Sequence, residues 1–246
     1  MKTEQYNEIL HYLKLESIYY SRSALGEHDW AINIPEYPDA SIFHVVVTGS
    51  CDVKIRRNQL KLEAGDVVFF PKAHGHKVSS SDTATAVELD ALPIKKISDL
   101  YETLELGDQN TNKTIILCGV VKISHPSGSM LLNEMPNVIH INKEQSLFNS
   151  MIEGVVELIF QEAESNFLGG ESIITWLIDI LIIQSIRQWI KTSAEHHDPW
   201  LKALQDPKIG KALYYLHHSP EKPWTIATLG KAVGMSRTAF SLRFTE

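Results

Sequence analysis

Four side chains able to chelate a metal, move a proton or change oxidation state stand at strand-like spacings in the first half of the chain. They are His44, Cys51, His76 and Cys118. Two imidazoles and two thiolates make a set that zinc binds tetrahedrally, so zinc is the expected metal. The two cysteines could equally form a redox-responsive thiol pair, or all four could simply be packed in a core, as these types often are. The sequence leaves these three readings open. A second group lies in "GMSRTAFSLRFTE" (234–246). On a short helix there, Ser236 is an N-cap and Arg237, Thr238, Ser241 and Arg243 point outward, a polar face suited to DNA.

The elements that must hold these residues differ along the chain. Residues 4–15 read as a short amphipathic helix. From about Ile18 to Leu92 the texture is strand and turn: "SIFHVVVTGSCDVKI" breaks at Gly49, and Cys51 then resumes an alternation with Val53 and Ile55. Residues 95–113 are polar and read as a long mobile loop, after which "TIILCGVVKIS" returns to strand character. Many short strands at short spacing mean a β-sandwich or barrel. Beyond Ile141 the period lengthens to that of a helix, placing Ile152, Val155, Val156, Ile159 and Ala163 on one face. A second apolar helix follows Gly169-Gly170, and the two read as an antiparallel hairpin that covers the sheet, forms a dimer interface, or does both. The division expected is 1–141 for the β-domain, 142–197 for the hairpin and its linker, and 198–246 for the last helices.

In that last part Asp206 and Pro207 open a helix, and Thr225 caps another that runs through Leu229 to Val233. Gly234 falls where a left-handed residue ends the helix. Ser236 starts the final helix, with Phe240 and Phe244 on its buried side and Ala232 small at the crossing. A supporting helix, a tight turn and a presented helix make a helix-turn-helix.

Composition agrees with a globular protein acting on DNA. The 246 residues are 43% hydrophobic and 22% charged, with two cysteines, which is no disulfide framework. "MKTEQYNEIL" has no apolar signal-peptide core, and "IITWLIDILIIQSIRQWI" (173–190) is interrupted by Asp179, Gln184 and Arg187. A cytoplasmic protein without a membrane span is therefore expected. Net charge is −7, yet the stretch from Trp200 onward carries +4 and the rest −11. A basic end behind an acidic body suits phosphate at that end.

The segment "DPKIGKALYYLHHSPEKPWTIATLGKAVGMSRTAFSLRFTE" resembles the start of the AraC-type DNA-binding domain, and "FHVVVTGSC", "LEAGDVVFFPKAHGH", "ILCGVVKISHP" and "MPNVIHI" resemble a regulator subfamily with an N-terminal cupin-like domain. The resemblance implies a mainly β cupin-like barrel followed by an all-α part. It also implies a transcription factor that answers a small-molecule, metal or redox effector, and the apolar hairpin makes a homodimer the expected form. DNA-binding domains of that kind have two helix-turn-helix units, of which this sequence shows the first, so a truncated reader that binds DNA weakly is expected. By position Thr238, Ser241 and Leu242 would face bases, with Leu242 in place of the arginine common there, and Arg237 would meet phosphate. Of the cupin motifs, Gly65-x5-Pro71-x4-His76 is present, whereas the His-x-His and glutamate of metal-dependent cupins are reduced to His44. Some similar regulators sense oxidants through cysteines, one in a Cys-Gly step matched by Cys118-Gly119. The alternative to a regulator is a metal-dependent cupin enzyme with a helical tail.

Overall fold

The computed structural model describes residues 15–26, 29–108, 113–123, 131–142, 149–165, 168–195, 203 and 206–245. The expected helix at 4–15 therefore lies outside the described residues except for Leu15, which opens a strand. Alternating β-branched and aromatic residues form twelve strands. In chain order they are β1 (Leu15–Leu25), β2 (Ala31–Ile34), β3 (Ser41–Thr48), β4 (Ser50–Ile55), β5 (Asn58–Glu63) and β6 (Val67–Phe70). The others are β7 (His76–Ser79), β8 (Ala86–Glu88), β9 (Lys95–Lys96), β10 (Tyr101–Leu106), β11 (Thr114–Ile123) and β12 (Ile139–Ile141). They make a seven-stranded sheet in the order β12-β6-β3-β11-β1-β10-β9 and a five-stranded sheet in the order β5-β4-β7-β2-β8. Most pairings are antiparallel; β1 with β10 and β2 with β8 are parallel.

Both sheets turn their apolar faces into one core, where Ile42, Val46, Phe70 and Ile116 of the first meet Val53, Ile55, Leu62 and Val78 of the second. This is the mainly β, cupin-like architecture. Gly49 and Gly65 take φ of +76° and +94° in the turns that join these strands, values that a side chain makes costly. Asp66, buried beside Gly65, accepts the Glu63 amide at 3.0 Å and the His140 Nε2 at 3.1 Å, fastening β12 to the turn before β6.

The expected loop at 95–113 is a correction: β9 and β10 occupy part of it, with Tyr101 and Leu104 buried. Those two apolar residues are three apart, which hides the two-residue period of a strand. Besides the short β9, the partner of β10 is β1, some eighty residues earlier and parallel (Tyr20 opposite Tyr101, Leu25 opposite Leu106). Pairing that distant leaves no local trace.

Two helices follow the strands, α1 (Asn149–Ser165) and α2 (Gly170–Glu195). Ile152, Val155, Val156 and Ile159 are buried on α1, as the periodicity predicts, and α1 lies against β3. Helix α2 runs through 191–195, so the first half of the expected linker is helical; the remainder, 196–200, lies outside the described residues. By length and composition alone Ser172–Lys191 could cross a membrane, and half of it is buried in the fold. The chain resolves into two units: Leu15–Lys122 with Met135–Gln188, and a second that includes Trp189–Glu246.

The second unit contains the helices α3 (Ile209–His218), α4 (Ile226–Ala232) and α5 (Arg237–Thr245). They share a small core of Ile209, Ala212, Leu229, Val233 and Phe240, with Trp224 and Met235 packed on it.

Candidate functional site

Three of the four chemistry-bearing residues of the barrel meet. His44 sits on β3 directly opposite Cys118 on β11, so the strand register itself brings them together. His76 arrives from the other sheet, where β7 pairs with β2. His44 Nδ1 lies 2.8 Å from Cys118 Sγ, and His44 Nε2 lies 2.6 Å from His76 Nε2. Phe70 stacks on the His76 ring at 4.1 Å and meets His44 edge-on at 5.6 Å.

Proton positions follow from the partners. His76 Nδ1 is 2.9 Å from the His74 carbonyl, which can only accept, so Nδ1 carries the proton and Nε2 offers a lone pair. His44 must then donate from Nε2, which leaves Nδ1 to accept the Cys118 thiol proton. The Ser21 hydroxyl donates to the Cys118 sulfur. Ser21, Cys118, His44, His76 and the His74 carbonyl thus form a directed chain in which every group is neutral. Burial enforces that state. It lowers His44 well below the ordinary imidazole range, with His76 adding to the effect, and lowers His76 to about 4. It likewise drives the Cys118 thiol upward, with Cys51 adding to the effect, and raises Cys51 to about 12.

The donor set expected for zinc therefore does not surround one point. His44 stands between Cys118 and His76 and faces them with opposite ring nitrogens, so a single ion cannot take Cys118 Sγ and His76 Nε2 together with His44. Cys51 is buried on β4 among Val53 and Ile55, with Asp52 and Asp66 among its electrostatic neighbours. Among the described residues no group of three or more His, Cys, Asp or Glu side chains is arranged to hold a metal ion. Zinc would require His44 to release one of its two partners, and the buried set as it stands does not fit the ion. The Cys118-Gly119 step has a packing reason as well: a Cβ on Gly119 would come within 2.2 Å of the Phe43 ring on the opposite strand.

Beside this chain lies a narrow cavity of about 40 Å³. Ile32, Ile34, Ile42, Leu104, Ile116 and Val120 make most of its wall. Tyr19, Ser21, Ser23, Glu102, His44 and Cys118 supply the polar part. Tyr19 Oη is 2.6 Å from Tyr37 Oη, and burial together with that bond raises the Tyr19 hydroxyl far above its usual range. The sequence reading missed Tyr19, Ser21 and Glu102. The signal was the alternation Tyr19, Ser21, Ser23, Leu25 along β1, whose inward face carries hydroxyls where aliphatic residues are usual.

The helix-turn-helix forms as the sequence predicts. Thr225 Oγ1 accepts the Thr228 amide at 3.1 Å while the Thr225 amide donates to Thr228 Oγ1 at 2.8 Å, a reciprocal cap at the start of α4. Gly234 has φ +68°, and Ser236 Oγ accepts the Ala239 amide at 3.2 Å to begin α5. The small residue at the crossing is Gly230, whose Cβ would meet Met235 O and Phe240 Cβ at 3.2 Å; Ala232 is exposed. Phe240 is buried, whereas Phe244 is half exposed against it, with ring centroids 5.3 Å apart.

Ser236, Arg237, Thr238 and Arg243 are exposed and Ser241 is half-buried. Leu242 is 64% exposed, an apolar side chain with no packing role. Arg243 also ties the ends of the unit together: its Nε donates to Asp206 Oδ2 at 2.5 Å. Asp206 Oδ1 accepts the amides of Lys208 and Ile209, so its cap acts on a helix that begins at Ile209.

The profile of a protein family described as Cupin matches residues 7–191. Over 224 residues the chain is 31% identical to the helix-turn-helix-type transcriptional regulator AlkR of Acinetobacter baylyi, spanning 88% of this chain and 71% of that protein. It is 23% identical over 239 residues to an AraC-like transcription regulator of Streptomyces antibioticus, spanning 96% and 76%. Among solved structures it is similar to ToxT of Vibrio cholerae O395, at 10% identity and a TM-score of 0.36 over 94% of this chain and 74% of that one. At that score the superposition assigns neither residue roles nor a ligand.

Proposed function

Because the chain belongs to the AraC-like transcriptional regulators that carry a cupin domain, we propose that the barrel is its sensor and that the signal is a small, largely apolar molecule held in the interior cavity. The carrying observation is the wall: ten aliphatic residues facing one space inside a β-barrel, with a few polar groups at one side. The buried thiols argue in the same direction. Held protonated, Cys51 and Cys118 make poor nucleophiles, which favours reversible ligand binding over thiol oxidation as the signal. The directed histidine chain likewise favours a regulator over a metal-dependent cupin enzyme.

The signal reaches DNA through the exposed face of α5, where Arg237 and Arg243 meet phosphate and Thr238 and Ser241 face bases, on a protein that works in the cytoplasm. Ligand and DNA must each prefer one arrangement of the chain for occupancy to matter, and coupling of this kind is typically about 5–150-fold in affinity. Filling the cavity tests the reading. Ile116→Trp should weaken binding of an apolar dye such as Nile red by at least about tenfold with the fold intact, and should abolish any effect of apolar compounds on DNA affinity. Unchanged dye binding in that variant would sink the proposal.

A second copy of the chain completes the reading. Ile173, Trp176 and Ile180 fall on one face of α2, exposed to 38%, 68% and 40%, and Leu158 of α1 is also exposed. A tryptophan that open, with isoleucines a turn to either side, suits a twofold helix-to-helix contact. Trp176→Glu is expected to shift the protein from dimer to monomer in light scattering at micromolar concentration; a variant that stays dimeric removes α2 from the interface.

A further inference from the structure

The polar side of the cavity is unequal in its hydrogen-bonding capacity. Several of its donors are engaged inside the protein: the Ser21 hydroxyl with Cys118, the Cys118 thiol with His44, and the His44 Nε2–H with His76, while the Ser23 hydroxyl stays open to the cavity and can donate or accept. The acceptors remain. Ser21 keeps its lone pairs, and Glu102, half-buried on β10, contributes a carboxylate that only accepts. Ser21 and Glu102 are register partners on adjacent parallel strands, so they stand side by side on the same face. No lysine or arginine is among the described residues lining the cavity. Lys96, opposite Glu102 on β9, holds Asp99 at 3.0 Å on the exposed sheet edge. His44 cannot supply the missing cation, since both of its nitrogens are engaged in a neutral chain.

We infer that the cavity selects an amphiphile whose head donates hydrogen bonds, a primary alcohol or an amine on an aliphatic chain, and rejects the corresponding carboxylate, with Glu102 as the residue that sets this preference. The inference rests on the reading of the barrel as an apolar-ligand sensor and narrows it. A carboxylate head would be brought beside Glu102, the one charged side chain among the described lining residues, and would be repelled by it. A hydroxyl or ammonium finds two acceptors in place.

The test is displacement of Nile red from the full chain at pH 7.5 by 1-decanol, decylamine and decanoate, in the wild type, in Glu102→Gln and in Ile116→Trp. The wild type should rank decylamine and decanol at least tenfold ahead of decanoate. Glu102→Gln should strengthen decanoate about tenfold, weaken decylamine by a similar factor and leave decanol near its wild-type value. Equal displacement by decanol and decanoate in the wild type overturns the inference, as does an unchanged decanoate-to-decylamine ratio in Glu102→Gln. If all three compounds compete without head-group order and lose their effect in Ile116→Trp, the cavity reading stands and this inference falls. If none competes and Ile116→Trp still binds the dye, the cavity reading falls with it.

Discussion

Phe240→Ala should abolish DNA binding without touching the barrel. Phe240 is the largest buried side chain in the core of α3–α5, is buried to 2% exposure, and has Ile209, Ala212, Leu229 and Val233 as its buried neighbours among the described residues. Truncating a buried phenylalanine costs about 3–5 kcal/mol through lost burial and the cavity left behind. A five-residue core has no reserve of that size, so α4 and α5 should lose their fixed geometry together. The expected result is loss of the cooperative melting of the helical unit. Fluorescence anisotropy on a duplex selected by the wild-type chain should show at least about hundredfold weaker binding, at about 1.4 kcal/mol per factor of ten. Nile red binding in the barrel should be unchanged. Arg237→Ala provides the contrast, since Arg237 is exposed: DNA affinity should fall while melting stays put. Arg243→Ala should fall between them. Its guanidinium is half exposed at 51%, and its pair with Asp206 contributes at most about 1 kcal/mol. If Phe240→Ala binds DNA like the wild type, α5 is not the reading helix.

The helix-turn-helix was legible because its devices are local. Thr225, Gly234 and Ser236 act within three or four residues of where they stand, and each does in the structure what its type implies. The crossing residue was misread because Ala232 and Gly230 are both small and lie on different faces of one helix; only the placement of Phe240 decides between them. In the barrel, the alternation with Val53 and Ile55 placed Cys51 with the core, and it is buried there beside them; His44 and Cys118 were located on strands and no further. What they do there depends on the pairing of β3 with β11, seventy-four residues apart, and on a histidine from the opposite sheet. Spacing along the chain gives proximity of this kind no signature, which is why a converging metal set and a linear hydrogen-bonded chain look the same in sequence. Glu102 was hidden for the same reason as the strand that carries it.

The neutral chain at His44 and His76 predicts an acid limit to the stability of the barrel. Unfolded, each imidazole takes a proton as pH falls through about 6.5. Folded, His76 resists protonation down to about 4 because it is buried, and His44 resists for the same reason with His76 adding to the effect. Between those values the unfolded state binds more protons than the native one, so stability is greatest above pH 6.5 and falls as pH drops toward 4. For His76 alone the full interval corresponds to about 3 kcal/mol, of which about 2 kcal/mol is lost by pH 5. Carboxylates add their own acid dependence, so the comparison that isolates the imidazole is His76→Phe, which preserves an aromatic ring against Phe70. At pH 7.5 that variant should be less stable by about 1–3 kcal/mol, because the His44 Nε2–H is left buried without its acceptor. At pH 5 the deficit should shrink by about 2 kcal/mol, since the variant has one fewer buried imidazole to charge on unfolding. Urea unfolding curves at pH 7.5, 6 and 5 measure both numbers. Curves for the two proteins that stay parallel across that range would mean His76 titrates freely in the folded barrel, and the directed chain from Ser21 to the His74 carbonyl would have to be abandoned.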